Sequence, residues 1–176
     1  LEKYLGTLVT AYSEPKSALH TEVAKQAAAW LMERITLSNR SDILDIGSGK
    51  GAMLDAIADY CFWPLYSLNL LDEDADVCSG KGYISCVGDA NHVLAVFKGY
   101  EGRFGLITAR HIAEHVWFAD YFLWQVWHLL KKGGYLYLEI PAPDTAAKHE
   151  TNPDHYSVFT LNTWVAKVQR AGLGII

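Results

Sequence analysis

Ile43-Leu-Asp-Ile-Gly-Ser-Gly-Lys-Gly51 is the stretch that decides the fold. Its first four residues form an apolar run broken by one acid, the pattern of a buried β-strand. Glycine then alternates with other residues, and Ala52 to Tyr60 bring Met53, Leu54, Ile57 and Ala58 to one side at helical spacing. A strand, a glycine turn and a helix in that order make the first half of a parallel β-α-β unit. The glycines free the turn for positive φ and let its backbone approach a ligand closely. Two nucleotide-binding signatures fail on this turn. A phosphate-binding P-loop needs glycine where Leu44 stands and Ser or Thr where Gly51 stands, whatever Gly49-Lys50 suggests. The dinucleotide fingerprint G-x-G-x-x-G is one residue longer than Gly47-Ser-Gly-Lys-Gly51, and it assigns no role to Asp45.

Outward from the turn, short apolar runs continue to alternate with helical ones. Ser17 to Arg34 has Val23, Ala27, Leu31 and Ile35 at helical spacing. Leu65 to Leu71 reads as a second strand, and Asp72, Glu73 and Asp74 suit the start of the next helix. Tyr83 to Val87, Phe104 to Thr108 and Tyr135 to Ile140 follow as strands. Ala119 to Leu130 reads as a helix stopped by Gly133-Gly134, and Thr160 as the cap of a last helix running to Gly172. The expectation is one α/β domain over residues 1–176, with residues 1–40 as a helical cap and 41–176 as a ligand-binding core. The fold expected is a Rossmann-like, doubly wound, mostly parallel sheet in three α-β-α layers, with ligands at the carboxyl ends of its strands.

The composition narrows the class. Hydrophobic residues make up 51% and charged ones 20% of the 176, so the chain is globular. No apolar run is long enough to span a bilayer, and no signal peptide is evident. The net charge is −5 with no block of Lys or Arg, which argues against a nucleic-acid partner. Cys61, Cys78 and Cys86 are odd in number and form no CxxC pair, as expected of reduced thiols in a cytoplasmic protein. The chain starts without Met and stops at Leu173-Gly-Ile-Ile176, which reads as a strand just beginning and suggests a fragment.

The glycine stretch resembles motif I of the class I S-adenosylmethionine-dependent methyltransferases, (V/I)LDxGxGxG, at every defined position. Further segments resemble that family in order. Gly88-Asp-Ala90 is similar to its third motif, Arg103-Phe-Gly-Leu-Ile-Thr-Ala109 to its fourth strand, and His111-Ile-Ala-Glu-His-Val116 to the segment that follows. Leu129 to Pro141 resembles its LkpGG motif and fifth strand, and His155 to Gly172 a downstream segment common in small-molecule members. The resemblance implies S-adenosylmethionine as cofactor and a small-molecule acceptor. It places Asp45, Gly47, Ser48, Gly49 and Gly51 at the methionine part, Asn69 or Asp72 at the ribose and Asp89 with Ala90 at the adenine. It also puts Ala109 and Arg110 beside the cofactor. Asn69 stands where the family carries an acid. It also implies a final antiparallel strand pair, here incomplete after Leu173.

Methyl transfer asks mainly for alignment and, for some acceptors, a base. His111 and His115, after the fourth strand, and His155, after the fifth, are the candidates. His111-x-x-Glu114-His115 also matches a zinc-peptidase pattern, H-x-x-E-H, which needs a helical context; no metal is expected. Glu114 and His115 have a plainer reading as groups that cap and order the next helix. Trp117, Tyr121, Trp124 and Trp127 recur at helical spacing, and the segment 117–130 is a candidate homo-oligomer contact. The rival functions are a catalytically inactive, methyltransferase-like binding module and a nicotinamide-dependent oxidoreductase on the same fold.

Overall fold

The computed structural model describes residues 18–37, 41–143, 146 and 148–176. Helix α1 (Ala18–Met32) leads into β1 (Asp42–Ile46), α2 (Ala52–Ala58), β2 (Leu65–Asn69), α3 (Asp72–Gly80) and β3 (Ile84–Val87). A 3-10 turn (Ala90–His92) and the short α4 (Val93–Val96) precede β4 (Phe104–Arg110), α5 (Ala119–Leu129), β5 (Leu130–Glu139) and α6 (Leu161–Arg170). Five strands pair in the order β3-β2-β1-β4-β5, every ladder parallel. This is the Rossmann-like, doubly wound sheet expected.

The period of two along each strand sorts apolar side chains onto two faces. Leu44, Ile46, Tyr66, Leu68, Ile107 and Ala109 join Phe122, Leu123, Val126 and Trp164 of α5 and α6 in one cluster. Ile43, Leu65 and Leu106 join Ala28, Leu31, Met53, Leu54 and Ile57 of α1 and α2 in the other. Helices therefore cover both faces, the reason the strands read as near-continuous apolar runs. β1, β2 and nearly all of β4 are buried end to end, whereas the edge strands β3 and β5 are only partly covered.

Several boundaries differ from the sequence expectation. Helix α1 packs through Ala24, Ala28 and Leu31, with Ile35 just beyond its end, while Val23 is 37% exposed. Leu31 and Ile35 are buried and Ala27 packs against the same cluster as expected, so only Val23 departs, and the stripe widens to take in Ala24 and Ala28. Ser17 and the rest of residues 1–17 lie outside the described residues, as do 38–40, so half of the expected cap does as well. Gly133-Gly134 do not stop α5. That helix already ends at Leu129, where Leu130 turns extended and begins β5. The glycines instead form an irregularity inside β5, where the partner of Phe104 is Leu130 and the partner of Leu106 is Tyr135. Gly133 has φ +76°, and a Cβ on Gly134 would lie 2.9 Å from the Phe104 carbonyl. Leu173–Ile176 are not a strand: Leu173 packs on the core and Ile176 is 80% exposed.

Among the described residues no helix is long and apolar enough to cross a membrane. Trp117, Phe118, Tyr121, Trp124 and Trp127 each keep 44% or more of their surface exposed, while Phe122, Leu123 and Val126 face the core.

Candidate cofactor and acceptor site

Strand order reverses between β1 and β4, so their following loops diverge and leave a crevice at the carboxyl ends. The turn after β1 forms one wall. Its Gly47 N–H donates to the Leu68 carbonyl at 2.8 Å, and the Ser48 hydroxyl donates to the Asp45 carbonyl at 2.7 Å. Gly47 has φ +72°, and a Cβ there would fall 2.1 Å from Ile112 Cδ1, so the walls touch across this glycine. Gly49 (φ +51°) is different: a Cβ on it would meet nothing within 4 Å. That position is a cradle with room above the backbone. Gly51 (φ +81°) backs onto the Cys78 thiol and the Tyr83 ring.

Behind the turn a row of polar side chains crosses the sheet at one level. Ladder partners put Ser85, Ser67, Asp45, Thr108 and Tyr137 side by side on five adjacent strands. Ser67 and Ser85 share a hydrogen bond of 2.8 Å, and Thr108 Oγ1 donates to Asp45 Oδ1 at 2.7 Å. Burial raises the Asp45 carboxyl from 3.8 to about 6, against the Thr108 hydrogen bond and the positive charge of Arg110, which pull it down. A buried acid poised in this way is suited to receive a cation, which would restore its ionisation.

The remaining cofactor candidates divide. Asn69 is buried at the end of β2, its amide directed at Cys78 Sγ (3.8 Å), while Asp72 stands exposed on the first turn of α3. Asp89 caps the next 3-10 turn, Oδ1 accepting from the Asn91 N–H at 2.8 Å and its side-chain amide at 2.9 Å. Ala90 follows it, half-buried. Gln125 of α5 fixes this segment by accepting from the Leu94 N–H and donating to the Asn91 carbonyl. Ala109 is fully buried with its methyl in the apolar cluster, so only its backbone can face a ligand.

The second wall is ionic. Arg110 forks onto Glu139 with contacts of 2.8 and 3.2 Å. Glu139 also receives the Tyr137 hydroxyl and lies 3.1 Å from His111 Nε2. The His111 hydrogen bond, then Arg110, hold the Glu139 carboxyl far below the usual carboxylate range. His111 itself sits in the left-handed region at φ +53°, and its partners Glu114 and Glu139 raise it to about 9. Glu114 is 2% exposed and His115 lies beside it, its Nδ1 2.9 Å from the Asp154 carbonyl. His155 comes back from the segment after β5, its ring 4.7 Å from that of His115. The structure thus brings His111, His115 and His155 to one rim. Glu114 and His115 do not cap a helix: they occupy a turn, and α5 begins only at Ala119 with Phe118 as its cap. The helical context that a zinc peptidase requires is therefore missing.

Thr108, Gln125 and Glu139 escaped the reading of the sequence. Each is defined by a partner across the sheet or on another element, and the spacing of residues carries no trace of that.

A glycine cradle over a buried acid, at the switch point of a parallel sheet, defines a Rossmann-like domain built for a nucleotide-type cofactor. The model of the family described as "methyltransferase domain" matches residues 19–176. The chain belongs to this family, the class I S-adenosylmethionine-dependent methyltransferases that its motifs resemble. No curated protein matches the sequence. Among solved structures, a Bacillus halodurans protein assigned to the methyltransferases is 24% identical at TM-score 0.67, over 82% of this chain and 68% of its own. An S-adenosylmethionine-dependent methyltransferase from Archaeoglobus fulgidus is 18% identical at TM-score 0.71, over 86% and 68%. Phosphoethanolamine N-methyltransferase 2 of Haemonchus contortus, solved with S-adenosyl-L-methionine, is 17% identical at TM-score 0.69, over 84% and 36%. At these identities the likeness is one of fold.

Proposed function

We propose that this domain transfers a methyl group from S-adenosylmethionine to a small-molecule acceptor held at the carboxyl ends of β4 and β5. The observation that carries this reading is the pairing of two unlike walls at the switch point. One is an open glycine cradle over the buried Asp45, and the other a rim of His111, His115 and His155. The donor set fits the cofactor. Asp45 would receive the amino group of its methionine part, with the backbone of Gly47, Ser48, Gly49 and Gly51 beneath. Asn69 or Asp72 would hold the ribose hydroxyls, Asp89 and the Ala90 N–H the adenine, and Ala109 and Arg110 would flank it.

When bound, the cofactor supplies a methyl group already activated on a sulfonium. The chain's own part is alignment and, for an acceptor that carries a proton, help in removing it. The net charge of −5 favours a small acceptor over a nucleic acid. Free thiols at Cys61, Cys78 and Cys86 fit a cytoplasmic setting, and the exposed rings along 117–130 fit a contact between copies.

Isothermal titration with S-adenosylhomocysteine tests the reading. Micromolar binding by the intact chain, lost in Asp45→Ala and in Asp89→Ala, is the expected result. Binding of NAD in its place would overturn it. Cofactor binding with no turnover across an acceptor screen, and no loss of function in a His111/His115 double variant, would favour the inactive binding module.

A further inference from the structure

Glu114, His115 and His155 come from two segments that the fold ties together. The Tyr156 and Ser157 N–H groups both donate to the Glu114 carbonyl, at 2.7 and 3.0 Å, and the Ser157 hydroxyl donates to the Val116 carbonyl. These bonds place one potential ligand atom from each of the three side chains within 4.8 Å of one another. Ligands about 2.1 Å from a common ion stand roughly 3.4 Å apart, so small side-chain rotations close the set.

The hydrogen bonds prepare both rings in the same way. His115 Nδ1 lies 2.9 Å from the Asp154 carbonyl, and His155 Nδ1 lies 2.9 Å from the His149 carbonyl. A carbonyl only accepts, so each Nδ1 carries a proton, and Nε2 is the ring nitrogen left able to ligate. That is the arrangement in which outer partners orient metal-binding imidazoles. His155 is steadied further by the His149 ring stacked 5.6 Å from it.

A second observation points to a ligand at this place. Glu114 is 2% exposed, and its Oε2 is buried with no hydrogen-bond partner. Burying a carboxylate oxygen unsatisfied is costly, and natural structures rarely leave one so. Oε1 lies 3.5 Å from His111 Nδ1 and 4.0 Å from His115 Nε2.

We propose that Glu114, His115 and His155 bind one divalent transition-metal ion at the acceptor rim. Two imidazoles and one carboxylate suit zinc, cobalt, manganese or iron(II); magnesium and calcium prefer all-oxygen sets. Three protein ligands leave coordination positions open, and an oxygen of the acceptor is the group suited to fill one. The inference rests on the proposed function for that last point, but the metal site stands on its own geometry.

The test is titration of the tag-free, chelator-stripped chain with Co2+, read by visible absorption and equilibrium dialysis, with S-adenosylhomocysteine affinity measured in parallel. Expected is one Co2+ bound per chain with ligand-field bands, displaced by Zn2+. Glu114→Gln, His115→Ala and His155→Ala should each weaken binding about tenfold or more, while His92→Ala, at an exposed position, should not. His155→Ala lies outside the sheet and keeps the test open if a change at Glu114 disturbs folding. A chain that binds S-adenosylhomocysteine but neither Co2+ nor Zn2+ overturns the inference, as does unchanged metal affinity in His155→Ala. Metal binding without S-adenosylhomocysteine binding would overturn the proposed function and leave the metal site standing.

Discussion

Thr108 Oγ1 donates to Asp45 Oδ1 at 2.7 Å across the β1–β4 ladder, with Thr108 fully buried and Asp45 3% exposed. The carboxyl thus sits between a desolvation cost and one strong donor, and its pKa of about 6 is the balance. Because this value lies above the ordinary 3.8, ionisation works against the fold. Asp45 contributes full stability below about pH 3.8 and loses it as pH rises through about 6, on the order of 3 kcal/mol. Asp45→Asn should remove that slope in denaturant titrations. Cofactor binding runs the other way, since a bound ammonium needs the carboxylate. Affinity for S-adenosylhomocysteine should fall as pH drops through about 6, and Thr108→Val should move that midpoint upward.

Gly47 and Gly49 separate packing from ligand space. Gly47→Ala meets both a positive φ and the Ile112 side chain 2.1 Å away. A loss of about 2–4 kcal/mol is expected, partly restored by adding Ile112→Ala. Gly49→Ala meets only the backbone term, about 1–2 kcal/mol. Its methyl enters the open cradle, so cofactor affinity should drop far more than stability does. Thermal melts and titrations on the same two variants check this.

Gln125 is 1% exposed and satisfies the Leu94 N–H and the Asn91 carbonyl. Gln125→Leu keeps the volume but leaves both backbone groups unpaired, at about 2–4 kcal/mol. The loss should be accompanied by weaker cofactor binding, because the same contact holds the Asp89-Ala90 segment. Intact affinity in a destabilised variant would refute that coupling.

Arg110 and Glu139 have side chains 16% and 25% exposed, so water screens their pair only in part. Arg110→Lys keeps the charge and loses the two-pronged fork on Glu139. A stability loss of about 1–2 kcal/mol is expected from denaturant melts.

How far the sequence reaches can be judged on particular residues. The run Ile43 to Gly51 announced a buried strand, a glycine turn and a helix, and the structure has them. Both signals are local: apolar period for the strand, and backbone freedom for the turn. Along α1 the helical spacing marks Ala27, Leu31 and Ile35, which do pack on the core, but not Ala24 and Ala28, because small residues count weakly in an apolar pattern; Val23, which it also marks, is exposed. Gly133-Gly134 signal a helix stop in the sequence because glycine marks any break in regular structure. Which break it marks, here an irregularity in β5 after a helix already ended, depends on the register against Phe104.

The sequence by itself determined the order of elements, the parallel sheet and the placement of Asp45 and the glycines at its switch point, because these follow from local periodicity and turn chemistry. Only the tertiary structure decided that Thr108 would face Asp45 and that Arg110 would meet Glu139. It alone brought His155 over Glu114 and His115. Those relations are set by strand register and loop return between residues about 30 to 60 positions apart, where no local pattern in the chain constrains the outcome.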